Sequence, residues 1–114
     1  MPVQKADSAT VAKVRDGISR RFVHTNNLMM AVIDFTHGPW PVPAPLQSHF
    51  HEQATYVVEG EIIFFCEGEK EQKLKAGDMF WVPSNKKHGI QLLSTRAKLI
   101  DSFNPIREDF IQAG

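Results

Sequence analysis

The sequence predicts an all-β domain, and three observations carry that prediction. Short runs rich in Val, Ile and Phe recur along the chain at fairly even spacing. Turn-forming residues separate them: Asn26-Asn27, Gly60, Gly68, Gly77 and Ser94-Thr95. No long helical period competes with them; Asp7 to Arg15 has only weak helical character, and Arg107 to Gln112 suffices for a single turn. Evenly spaced short strands point to a sandwich or a closed barrel of roughly ten strands.

In chain order the first run is Ile18 to Val23, then Leu28 to Phe35 beyond the Asn-Asn turn. Thr36 to Leu46 carries Pro39, Pro41, Pro43 and Pro45. Proline lacks the donor a central strand needs, so this segment is expected at a rim or an edge. The remaining runs are Gln47–His51, Thr55–Glu59, Ile62–Cys66, Gln72–Leu74, Met79–Val82, Gly89–Leu93 and Ala97–Phe103.

The chain has 114 residues and 42% apolar composition, enough for one domain with a core, expected over 1–114 with an N-terminal arm (1–11) and a C-terminal tail (104–114). Thirteen basic residues balance thirteen acidic ones. That balance argues against a nucleic-acid partner, and no basic amphipathic stretch points to a membrane. Cys66 is the single cysteine, so no internal disulfide forms; within an apolar run it reads as a buried small hydrophobe. With no apolar leader in Met1 to Val11, the expected compartment is the cytoplasm.

Two groups of residues suggest chemistry. Gln47, His49, His51 and Gln53 share parity, so a continuous strand would aim them one way. Imidazole is the commonest transition-metal donor, and a Gln carbonyl can add an oxygen. His88 follows the turn Pro83-Ser84-Asn85, and a barrel would bring it to the same place. The second group is Leu99, Asp101 and Phe103 on one strand face, where an acid among apolar neighbours must be paired, protonated or functional.

The stretch Gln47 to Gly60 resembles the first motif of the cupins: HxH, three or four residues, Glu or Gln, six residues, Gly. Gly77 to His88 resembles the second: Gly, five residues, PxG, two residues, His, with Asn85 in place of the last Gly. Asn and Gly both accept a left-handed turn. The resemblance implies a double-stranded β-helix, a jelly-roll barrel of two antiparallel sheets, holding one divalent transition metal (Ni, Zn, Mn or Fe). Aligned without gaps, the implied ligands are Gln47, His49, Gln53 and His88. A shortened loop would instead make His49 and His51 the paired histidines.

The run Asp101 to Phe110 reads D-x-F-x-P-x-R-E-D-F, similar to the C-terminus of the small pectin-degradation cupins that linearise 4,5-unsaturated galacturonate. Similarity to that subgroup runs from about Gly17 to Phe110, with Gln47 and the loop Gly38 to Ala44 as departures. It implies functional roles for Asp101, Phe103 and Arg107, a small sugar acid as partner, and a homodimer in which the N-terminal arm pairs with a sheet edge. On chemical grounds Asp101 would be the acid–base group, Arg107 would grip a carboxylate, and Phe103 would wall the sugar. Two other functions compete: a non-catalytic sugar- or metal-binding module, favoured by the amide at 47, and an iron-dependent dioxygenase, disfavoured by having only two ligand histidines.

Overall fold

The computed structural model describes residues 2–113. Nine strands lie among them: β1 (Ala12–Arg15), β2 (Ile18–His24), β3 (Met29–Phe35), β4 (Glu52–Glu59), β5 (Glu61–Cys66), β6 (Gln72–Lys75), β7 (Met79–Val82), β8 (His88–Leu92) and β9 (Ala97–Asn104). One helix, α1 (Glu108–Ala113), follows them. All named pairings are antiparallel, in a six-stranded sheet ordered β1-β2-β3-β9-β4-β7 and a three-stranded sheet ordered β6-β5-β8.

Alternation explains which faces meet. Along β3, Met29, Ala31, Ile33 and Phe35 are buried while the residues between them are half-buried or exposed. Their neighbours on β9 are Phe103, Asp101, Leu99 and Ala97. Phe80 of β7 stacks on Phe64 of β5 with ring centroids 4.0 Å apart, joining the two sheets. Side chains of this size each contribute roughly 1.5–3 kcal/mol when fully buried, so the core formed by the inner faces is the main stabilising element.

Two sequence expectations need correction. Asp7 to Arg15 is no helix: a short 3₁₀ turn covers Ala6–Ser8, and Ala12–Arg15 pairs with β2 through a turn at Gly17. Strand pairing outweighs the weak local preference there. Gln47 to His51 is no continuous strand either. Only Gln47 pairs, with His88, before the chain bends at Phe50 and His51 into β4. Within the N-terminal arm, Gln4 Nε2 donates to the Phe22 carbonyl at 3.0 Å.

The proline-rich segment runs along β8 as an edge. Its prolines occupy odd positions, while the N–H groups of Gly38, Trp40 and Ala44 donate to the carbonyls of Thr95, Leu92 and Ile90. Proline every second residue removes only donors that would point away from the sheet. A Cβ on Gly38 would lie 1.9 Å from the Ser94 carbonyl oxygen, so the segment fits this closely only with glycine there.

Candidate metal and acid–base site

The donor residues are held by backbone hydrogen bonds that link the two motif segments. Gln47 and His88 exchange N–H···O bonds of 2.9 and 2.8 Å. Asn85 adopts φ 64° and its N–H donates to the His49 carbonyl at 2.6 Å. The left-handed turn expected at Asn85 is therefore also the clasp that holds His49.

Between the sheets lies a cavity of about 450 Å³. Its lining includes Gln47, His49, Gln53, His88, Asp101 and Arg107, with Ile18, Phe35, Trp40 and Phe110 among its apolar walls. His49 Nε2 and Gln47 Oε1 are 3.1 Å apart, and the rings of His49 and His88 have centroids 5.8 Å apart. His51 does not line the cavity. It is buried behind His49, stacked at 4.7 Å, with the Phe103 ring edge-on at 4.8 Å. Its Nε2 is buried without a hydrogen-bond partner.

Phe103 departs from expectation in the same way. It is 1% exposed and packs beneath His51 and Phe110 instead of walling the cavity. It shares a face with Asp101, but the bend at His51 and helix α1 cover that end of β9. Phe110, buried at the start of α1, supplies the aromatic wall.

A second set of bonds orients the polar groups. Gln53 Nε2 donates to Thr55 Oγ1 at 2.9 Å, and Thr55 Oγ1 donates to Asp101 Oδ1 at 2.7 Å. The Gln53 amide nitrogen is thereby engaged and its carbonyl oxygen left free. His88 Nδ1 lies 3.0 Å from the Lys86 carbonyl. A carbonyl only accepts, so Nδ1 carries the proton and Nε2 keeps its lone pair, the usual arrangement of a ligating histidine.

Charge follows burial. Burial raises the Asp101 carboxyl to about 6, against the opposing Thr55 hydrogen bond and the Arg107 charge. Burial, then Arg107, holds the His51 imidazole down at about 4 and lowers His49 as well. Neutral imidazole is the form that binds metal. Among the described residues no three His, Cys, Asp or Glu side chains cluster as a metal site. Two imidazoles and two amides are donor types that a divalent transition ion accepts, though a weaker set than three imidazoles.

The Cupin domain family matches residues 41–103, more than half of the sequence. The chain belongs to the cupin family. It is 34% identical over 106 residues to the pectin degradation protein KdgF of Dickeya dadantii (strain 3937), covering 92% of this chain and 94% of that one. The structure of KdgF from Halomonas sp. superposes with a TM-score of 0.82 at 33% identity, covering 93% and 96% of the two chains. An RmlC-like cupin from Shewanella frigidimarina NCIMB 400 gives 0.83 at 33% identity, covering 94% and 93%. No helix among the described residues is long and apolar enough to cross a membrane.

Sequence reasoning missed Thr55, Arg20 and Phe110 of this cupin. Thr55 lies two residues after Gln53 on the same strand face and bridges it to Asp101. Arg20 sits between Ile18 and Phe22 on β2, a charge on an otherwise apolar face. The reasoning that singled out Asp101 applies to it equally. Phe110 carries no local signal, because its position depends on how α1 folds back over the cavity.

Proposed function

We propose that this cupin catalyses ring opening of a 4,5-unsaturated uronate or a closely related sugar acid. The observation that carries the proposal is Asp101: a carboxyl with raised proton affinity, fixed by Thr55 at a cavity wall beside metal-type donors. The similarity to two KdgF proteins supports the substrate class.

Gln47, His49, Gln53 and His88 would hold one divalent ion (Ni, Zn, Mn or Fe), which supplies stabilisation of negative charge on substrate oxygens. Asp101 removes the proton of the anomeric hydroxyl. The bond between C1 and the ring oxygen breaks, C1 becomes a carbonyl, and the ring oxygen departs as an enolate oxygen on C5. The same carboxyl, now protonated, returns a proton at C4, so the proton count closes. A carboxyl titrating near neutrality suits both halves, and such a group typically contributes about 10²–10⁴-fold in rate. Thr55 keeps one carboxylate oxygen oriented, and the apolar walls around Trp40 and Phe110 exclude water from the enol.

The test is the loss of unsaturated-uronate absorbance with metal-loaded protein. Faster loss with wild type than with Asp101→Ala or buffer supports the proposal; equal loss in all three dismisses it. A non-catalytic sugar-acid sensor is favoured by one observation, the amide at 47, which weakens the donor set. A sensor would bind uronate without turnover.

The protein is further proposed to be cytoplasmic and to form a homodimer; besides the arm, the outer face of the six-stranded sheet offers a surface for it. Met30, Tyr56, Met79 and Trp81 lie there, 50%, 42%, 69% and 74% exposed. Strand register joins them through Ser102, Ala54 and Ile100 into one patch. With Val23 and Val58 they make an exposed apolar patch, the kind of surface that marks an interaction site. A second copy offers the same flat face, which a two-fold axis can bury. Sedimentation should show a dimer that Trp81→Lys dissociates; a wild-type monomer contradicts this.

A further inference from the structure

Arg20 and Arg107 both stack on Phe110, with guanidinium carbons 3.7 and 4.2 Å from the ring centroid. The two cations differ in how they are engaged. Arg107 has its fork occupied: Nε donates to Asp109 Oδ1 at 3.2 Å and one terminal nitrogen to Oδ2 at 2.7 Å. Arg20 forms no ion pair among the described residues, and its Nε is buried without a hydrogen-bond partner. Both line the cavity.

A partly buried guanidinium beside a second one is electrostatically costly unless an anion compensates it. Asp109 is a single carboxylate, and its two oxygens are committed to Arg107. Stacking on Phe110 fixes the plane of Arg20, so its donors are presented to the cavity with little freedom left to lose. That is the requirement for planar, two-point recognition of a carboxylate.

We infer that Arg20 is the residue that receives the carboxylate of the cavity's ligand, while Arg107, clamped by Asp109, is a positioning residue that holds Phe110 and Arg20 in place. The inference rests on the reading that the cavity takes a sugar acid, and it moves the anion grip from the C-terminal segment to β2.

NMR titration of metal-loaded protein with D-galacturonate and with D-galactose tests it. These sugars share the ring but differ in the carboxylate, and neither has the C4–C5 double bond needed to reach the 5-keto product. Wild type should bind galacturonate at least tenfold more tightly than galactose. Arg20→Met keeps the apolar stem over Phe110 and should erase that preference, with galactose binding unchanged. Arg20→Lys, which restores charge without the fork, should recover part of it and shows that position 20 tolerates change without unfolding. Retention of the preference in Arg20→Met, or its absence in wild type, overturns the inference. Arg20-dependent galacturonate binding without turnover of unsaturated uronate would uphold it while ending the ring-opening proposal.

Discussion

The two ends of the cavity are built differently. At the imidazole end, backbone geometry does the positioning: the Gln47–His88 bridge, the Asn85 turn and the bond from Asn85 to His49 fix the donor segments before any side chain is placed. Along the rest of the wall, side chains position one another, with Arg20 and Arg107 on Phe110, Asp109 on Arg107 and Thr55 on Asp101. Backbone-built sites leave a spacing signature in sequence. Side-chain-built sites leave almost none.

Breaking the side-chain end should have the largest effect. Asp101→Asn keeps the shape but removes the acid–base group, and turnover of unsaturated uronate should fall about 10²–10⁴-fold. Steady-state kinetics would show the loss mainly in kcat. An effect confined to KM would mean that Asp101 only binds.

Next comes the packing layer beneath both ends. Phe103→Ala should cost about 3–5 kcal/mol in chemical denaturation, since the ring is fully buried under His51 and Phe110. A cost below about 1 kcal/mol would place Phe103 at the cavity surface, as the sequence pattern first implied.

The pH dependence of stability sharpens the comparison, because the two ends titrate in opposite senses. Asp101 is raised from 3.8 to about 6, so the folded state binds its proton first and stability contributed there falls as pH rises across that interval. His51 is lowered from 6.5 to about 4, so the unfolded state binds its proton first and stability falls as pH drops from 6.5 towards 4. Each effect is on the order of 3 kcal/mol at its limit, and in the wild type they oppose. Melting curves of metal-free protein should separate them. Asp101→Asn should lose stability on acidification through this window, whereas His51→Phe should gain it. Identical profiles in both variants would contradict the assigned environments.

The smallest expected effect is at the clasp. Asn85 has φ 64°, so Asn85→Ala should cost about 1 kcal/mol, and Asn85→Gly should be nearly neutral. Metal affinity, followed by competition with a chelator, should drop in the alanine variant, because the clasp also holds His49.

The same division explains what could be read in advance. Most strands were visible from alternation; the Gln47, His49, Gln53, His88 grouping came from resemblance to the cupin motifs, since Gln47 to His51 is not the continuous strand that parity assumes. The strand at Ala12–Arg15 was not: its four residues acquire their state only by pairing with β2. Nor was the burial of Phe103, which shares parity with Asp101 but lies under α1. Arg20 was visible in principle, as a charge between Ile18 and Phe22. Nothing local announced that Phe110 would arrive from ninety positions away to stack on it.

The most direct test of the account is the pH profile of kcat/KM for an unsaturated uronate, measured at fixed metal loading on wild type and Asp101→Asn. The account predicts a limb in the wild type with an apparent pKa near 6, rising towards neutral pH, and its disappearance from the residual rate of the variant. A limb near pH 6 that survives in Asp101→Asn would assign the proton transfer to another group and contradict the role given to this carboxyl.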